Sequence, residues 1–365
     1  MKKLLILANS DSAIFKFRTE LIESLSNDFK IGIGIPFGQY MKEIANEKYE
    51  FYNVPVNRHG LNPIEDIKLI FSYHKLIKKF KPDVVLQYTI KPNLYGSIVC
   101  GWNKIPCICN ITGLGSAVET PGALQKMLII MYKFAMLKVH TIFFQNEHGR
   151  EFFIKNHIGK ISQYFQLPGS GVNLSRFKPL DYPDVTIQKF LFVARVIKEK
   201  GIEEFLYTAE EFKKLGLKAE FHICGACEEA YQDILKKKND EGIIVYHGLV
   251  KDMRKMYEDA TCITLPSYYP EGQSNVLLEG AASCRPLITT DHPGCREAVN
   301  DGETGFLVRK KDTKDLFDKC LAMYNKSVEE RKTMGLAGRK KIEEEFDRNI
   351  VINAYRARIS SLGLL

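Results

Sequence analysis

Short apolar runs alternate with longer segments of helical period along the whole chain. Runs at 3–8, 31–35, 84–87, 107–111 and 141–144 read as buried strands in the first half. Runs at 189–193, 219–224, 243–247, 261–265 and 287–290 do so in the second. Between them, 18–28, 65–80, 203–215, 227–241 and 250–259 place apolar residues at helical spacing. Strands that alternate with helices predict an α/β protein, with parallel sheets covered by helices.

At 365 residues the chain exceeds one ordinary core, so two doubly wound domains are expected. The segment Gln166-Leu167-Pro168-Gly169-Ser170-Gly171-Val172-Asn173, followed by Pro179 and Pro183, is the natural junction. It separates a Rossmann-like domain over 1–170 from a second over 171–345, each turning its strand carboxyl ends to a shared cleft. Helical stretches at 328–346 and 348–361 end the chain, and the segment 346–365 is expected to reach back over the first domain. The apolar run after Lys2-Lys3 stops at Asn9, too early for a signal peptide. No stretch approaches the ~20 apolar residues of a membrane span.

One stretch concentrates the candidate chemistry. The strand at 261–265 stops at Pro266, Pro270 precedes Glu271-Gly272, and an apolar helical pattern begins at Val276. Strand, tight loop and helix N-terminus make an anion site, with the backbone N–H groups of Gly272, Gln273, Ser274 and Asn275 turned outward. Glu271 and Glu279 stand eight apart, about two helical turns. Upstream, Arg195 ends the strand at 189–193 and Lys200-Gly201 leads into the next helix. Both cations could clamp a diphosphate whose charge grows as it leaves. Solvated surface ions would have the same spelling.

Other motifs say less. Cys224-Gly225-Ala226-Cys227 has no second C-x-x-C or paired histidines, so it reads neither as zinc nor as redox; Gly225 there would let backbone approach a ligand. Leu249 and Val250, after Tyr246-His247-Gly248, could form an apolar shelf for a base or an ordinary loop. Nine cysteines, odd in number and mostly in apolar segments, favour reduced thiols in a cytoplasmic protein.

Charge then separates the halves. Residues 1–180 carry 23 Lys+Arg against 13 Asp+Glu, and the remainder 29 against 31. The basic first half suggests an anionic partner. Its lysines are not interleaved with aromatics in any nucleic-acid module, so no nucleic acid is expected. The helix over 122–138 is strongly apolar and carries Lys126, Lys133 and Lys138; a second basic helix covers 68–81. Such a helix fits either burial against the sheet with its lysines snorkelling to water, or contact with an anionic membrane surface.

Taken in order, Arg195, Lys200-Gly201, Pro266-Ser267, Glu271-Gly272, Glu279, Glu297 and Asp301-Gly302-Glu303-Thr304-Gly305-Phe306 resemble the C-terminal domain of glycosyltransferase family 4. In the first half, Thr89-Ile90-Lys91-Pro92-Asn93-Leu94-Tyr95-Gly96, Ile111-Thr112-Gly113-Leu114-Gly115, Phe144-Gln145-Asn146 and Gly169-Ser170-Gly171-Val172-Asn173 are similar to the subgroup that builds capsule, O-antigen and lipid-linked glycans. The resemblance implies the GT-B fold, an acceptor-binding first domain, a nucleotide-sugar-binding second domain and a retaining transfer of a hexose or N-acetylhexosamine. UDP is the expected nucleotide, a polyprenyl-diphosphate-linked saccharide the acceptor, and the inner face of the cytoplasmic membrane the place. A UDP-sugar epimerase of similar two-domain build is the alternative.

Residue by residue, it implies that Arg195 and Lys200 hold the donor diphosphate, Glu279 the ribose hydroxyls and Glu271 the transferred sugar, with the Gly272–Asn275 amides on sugar and phosphate oxygens. Leu249 and Val250 would lie near the base. Asn9, Ser10 and Arg18 resemble the loop after the first strand that meets donor and acceptor. Lys91 and Thr112 are candidate acceptor contacts. Many relatives carry a histidine at the position of Thr112 or near Ile90; this chain has neither. No Asp-x-Asp occurs, and with Arg and Lys to neutralise the diphosphate the transfer is expected to need no metal or other cofactor.

Overall fold

A computed structural model describes residues 1–45, 47–57, 62–115, 118 and 121–365. The chain forms two compact units, Met1–Ser170 joined by Asn349–Leu365, and Gly171–Arg348. Each unit is built on one parallel sheet, and each is taken in turn.

In the first unit, β1 (Lys2–Leu7), β2 (Phe29–Ile35), β3 (Glu50–Asn53), β4 (Val84–Tyr88), β5 (Cys107–Ile111), β6 (Thr141–Phe144) and β7 (Tyr164–Gln166) pair in the order β3-β2-β1-β4-β5-β6-β7. The inner strands are apolar on both faces because helices cover both sides of the sheet, which removes the alternation a half-exposed strand would show. The helix Arg348–Ser360 ends in this unit. Its Tyr355 ring packs on Phe143 at 4.7 Å between ring centres, and its hydroxyl accepts from Asn110 Nδ2 at 2.8 Å.

The second unit has β8 (Gln188–Val193), β9 (Ala219–Cys224), β10 (Val245–Tyr246), β11 (Cys262–Leu265), β12 (Leu287–Thr290) and β13 (Gly305–Val308), in the order β10-β9-β8-β11-β12-β13. A core of Phe190, Phe192, Phe205, Phe212 and Phe221 seats the helix Ile202–Lys214 on this sheet.

Strand order reverses between β1 and β4 in one sheet and between β8 and β11 in the other. At such a point neighbouring strands send their connections to opposite faces, which opens a crevice at their carboxyl ends. In the second unit, Phe190 and Leu191 of β8 lie in register with Cys262 and Ile263 of β11. The loops beginning at Ala194 and Pro266 therefore leave the sheet side by side.

Three differences from the sequence pattern bear on the site. A helix already runs over Asp11–Phe17, capped by Ser10, and Arg18 joins it to the helix Thr19–Leu25. The helix after β11 begins at Asn275, so Glu271 precedes it and the eight-residue spacing to Glu279 does not measure two helical turns. At Gly225 the close approach seen is to backbone: a Cβ there would stand 1.7 Å from the Ala194 carbonyl oxygen. That contact holds the ends of β8 and β9 together.

Candidate active site

In the second unit, three sequence-predicted residues, Arg195, Lys200 and Glu271, meet at the ends of β8 and β11. After β8, Lys198–Lys200 makes one tight turn and Gly201, at φ +80°, starts the helix Ile202–Lys214. The loop after β11 is laid on that turn: Tyr268 N–H donates to the Glu199 carbonyl at 2.8 Å. Side chains follow from this stacking. Lys200 Nζ forms an ion pair with Glu271 Oε1. The Tyr269 ring lies beneath both cations, 4.8 Å from Lys200 Nζ and 5.5 Å from the Arg195 guanidinium carbon.

Lys200 is only 9% exposed, whereas the Arg195 side chain is 54% exposed and 4.0 Å from Glu228. Burial pulls the Lys200 ammonium down to about 8, and the charge of Arg195 adds to the fall. A buried ammonium with one carboxylate oxygen at hand among the described residues retains strong demand for negative charge. This is the electrostatic feature that suits an anionic ligand.

The loop from Glu271 to Asn275 is braced from behind. Ser274 N–H donates to the Gly294 carbonyl at 2.7 Å, so of the four amides expected to face an anion this one is used inside the protein. Gly294 N–H in turn donates to Glu297 Oε2 at 2.8 Å, and burial holds the Glu297 carboxyl above its usual range. Gln273 is buried beside Glu271, and its Nε2 finds no acceptor among the described residues. A buried amide of this kind is a donor in want of an oxygen.

Glu279 lies in the helix Asn275–Ala282 and accepts a hydrogen bond from the hydroxyl of Tyr257 at 3.0 Å. Sequence reading missed Tyr257, because an aromatic in a helix next to a core has the pattern of a packing residue. It also missed Tyr269, which lies in the loop after β11. Leu249 is 65% exposed, and Val250 packs partly onto the core. His222 and His247 stack with ring centres 5.1 Å apart.

In the first unit the predicted residues are spread over several loops. Asn9 is half-buried at the end of β1. Ser10 Oγ is used as a helix cap, accepting from Ala13 N–H at 3.1 Å. Arg18 is buried, with its guanidinium 4.4 Å above the Tyr88 ring. Lys91 Nζ is paired with Asp66 Oδ1 at 2.7 Å, and Thr112 is half-buried just past β5. Thr89, next to β4, holds φ +74°, a costly conformation for a β-branched residue of the kind that gathers at binding sites.

The same unit carries an apolar surface. The helix Ala123–Ala135 buries Leu128, Tyr132 and Ala135 against the core, while Met127, Ile130, Phe134 and the following Leu137 are exposed on its outer side. Ile64, Ile67 and Phe71 of the helix Pro63–Phe80, and Trp102 of the helix Ser97–Asn103, are exposed as well. All three helices pack on one hydrophobic cluster. Among the described residues, no helix is long and apolar enough to cross a membrane, and no three His, Cys, Asp or Glu side chains gather as metal ligands.

Comparison with known proteins gives these features a context. Residues 3–146 match the family model described as glycosyl transferase 4-like, and 187–326 match that of the glycosyl transferases group 1. The N,N'-diacetylbacillosaminyl-diphospho-undecaprenol alpha-1,3-N-acetylgalactosaminyltransferase of Campylobacter jejuni is 25% identical over 96% of this chain and 96% of its own. The capsular polysaccharide biosynthesis glycosyltransferase CapM of Staphylococcus aureus is 26% identical over 85% of each chain. Among solved structures, Anabaena HepE in complex with UDP and glucose superposes with a TM-score of 0.80 over 100% of both chains, at 13% identity.

Gly201 tests the local geometry. An added Cβ would meet the Pro266 carbonyl oxygen at 2.3 Å in a backbone conformation that already disfavours it. Gly201→Ala is expected to lower stability by about 2 kcal/mol or more. Thermal denaturation measures it, and an unchanged melting temperature would show that the loop does not lie on the Lys200 turn as described.

Proposed function

The chain belongs to glycosyltransferase family 4 and has the GT-B fold, and we propose that it transfers an N-acetylhexosamine or hexose, with retention, from a UDP-sugar to a polyprenyl-diphosphate-linked saccharide. The observation that carries this reading is the buried Lys200–Glu271 pair with Tyr269 and Arg195 at the ends of β8 and β11. A diphosphate entering there replaces one carboxylate with a more highly charged group, for which Lys200 is already desolvated. Released from Lys200, Glu271 becomes an acceptor for hydroxyls of the transferred sugar.

The reaction asks little else of the protein. The bond from the sugar C1 to the diphosphate oxygen breaks, and the negative charge that collects on that oxygen is met by Lys200 and Arg195. The acceptor hydroxyl attacks C1 on the same face and gives its proton to the departing phosphate oxygen. The products are UDP and the extended saccharide. In this account both cations do the work that a metal ion does elsewhere, and transfer proceeds with the metal chelated. Gln273 Nε2 and the amides of Gly272 and Asn275 serve the sugar and phosphate oxygens, and the exposed Leu249 supports the base.

For the acceptor, support comes from the first unit's surface and from the name of the Campylobacter jejuni relative, which specifies a diphospho-undecaprenol-linked sugar. Met127, Ile130, Phe134 and Leu137 stand on one side of a helix that also bears Lys126 and Lys133. Apolar side chains flanked by lysines suit the headgroup region of an anionic bilayer, where a lipid-linked acceptor resides. The protein then works on the cytoplasmic face of the membrane as a peripheral enzyme.

Two outcomes are expected. With UDP as the titrant in calorimetry, Glu279→Ala should weaken binding about tenfold or more, whereas Glu271→Ala should keep UDP binding within about threefold and lose most sugar transfer. Equal loss of UDP binding in both variants would refute this division of roles. In flotation with vesicles containing phosphatidylglycerol, the wild type should float at low salt, and Ile130→Glu/Phe134→Glu should stay with the soluble fraction. A wild type that never floats contradicts the membrane placement.

A further inference from the structure

Tyr257 and Arg285 form a connected buried unit beside Glu279 that packing alone does not require. Arg285 is fully buried, and among the described residues its hydrogen bonds go to backbone carbonyls. Its Nε donates to Tyr257 O at 2.7 Å, and its NH2 donates to Asp181 O at 2.8 Å and Glu258 O at 3.1 Å. NH1 reaches Leu180 O and Cys284 O, both at 3.3 Å. Two of these acceptors belong to the last turn of the helix Arg254–Asp259, where a cation satisfies carbonyls that have no partner in the helix. Arg285 thus pins the backbone of Tyr257 from one side.

On the other side the Tyr257 ring, itself fully buried, packs edge-on against Phe177 with ring centres 6.1 Å apart. Backbone and ring are both fixed, so the hydroxyl oxygen is held in place, and it donates to Glu279 Oε2 at 3.0 Å. Burial, then the charge of Glu279, pushes the Tyr257 hydroxyl well above its usual pKa, so it stays a donor at every physiological pH. A phenylalanine would fill the same space. The hydroxyl is therefore spent on aiming one carboxylate.

We propose that Tyr257 is a positioning residue for Glu279, holding one carboxylate oxygen so that the other meets the ribose hydroxyls of the nucleotide, with Arg285 as the clamp that fixes Tyr257. The inference rests on the proposed role of Glu279 in nucleotide binding. Without the hydroxyl, the carboxylate loses one of the contacts that fix its rotamer, and part of its ordering falls to nucleotide binding. The cost falls on nucleotide affinity and leaves the chemistry at the sugar alone.

A double-mutant cycle on the full chain, read by calorimetry with UDP, separates this from a packing role. Tyr257→Phe should weaken UDP binding about fivefold to tenfold, with little change in melting temperature and in kcat at saturating donor. In the Glu279→Ala background the same change should have no further effect, within about twofold. Wild-type affinity in Tyr257→Phe beside a weakened Glu279→Ala overturns the inference and leaves the role of Glu279 standing. Multiplying effects in the double variant also overturn it, because Tyr257 would then act on UDP without Glu279. Wild-type affinity in Glu279→Ala removes the nucleotide role itself, and the inference falls with it.

Discussion

Burial of one ammonium governs the second unit. Lys200 can lie beneath the loop after β11 only because Gly201 takes a left-handed turn against the Pro266 carbonyl and Tyr268 binds the backbone of Glu199. The same stacking removes most of the lysine from water and brings Glu271 to it. A buried charge needs a partner at all times. Glu271 is that partner in the structure, and the proposed mechanism has it exchanged for a diphosphate. The loop, the turn and the ion pair all rest on this one stacking.

Around that centre the protein uses rigid backbone more than loops of free shape. The reversal of strand order brings two strand ends together, Gly225 closes β9 onto β8, and Gly294 with Glu297 braces the loop of Glu271. The Arg285–Tyr257 unit does the same for Glu279 through a different set of contacts. Each glutamate therefore has its own support, which fits their proposed assignment to different parts of one ligand.

Most of this was legible in the sequence where burial is symmetrical. The fully buried strands stand out most clearly: 107–111, 141–144 and 287–290 coincide with β5, β6 and β12, and the more mixed run 219–224 coincides with β9. The strands that gave no signal are β3, β7 and β13, all at sheet edges, where short mixed segments such as Glu50–Asn53 and Tyr164–Gln166 pair along one side only. At the site, ordered motifs brought out Arg195, Lys200, Glu271 and Glu279. They could not bring out Tyr257, Tyr269 or Arg285, whose roles depend on which backbone atoms the fold carries to them. Nor could they show that Ser10 and the Ser274 amide are engaged in caps and braces, or that Lys91 is tied to Asp66.

The first unit contributes surface more than chemistry. Its outer helices combine a buried face that stabilises the sheet with exposed apolar side chains and lysines, the surface on which the proposed membrane contact rests. A structure of the protein crystallised with UDP would put the role of Lys200 to the test. Lys200 Nζ should lie within about 3 Å of a phosphate oxygen, with Glu271 withdrawn from it. A UDP diphosphate bound elsewhere, with the Lys200–Glu271 pair intact, would contradict it.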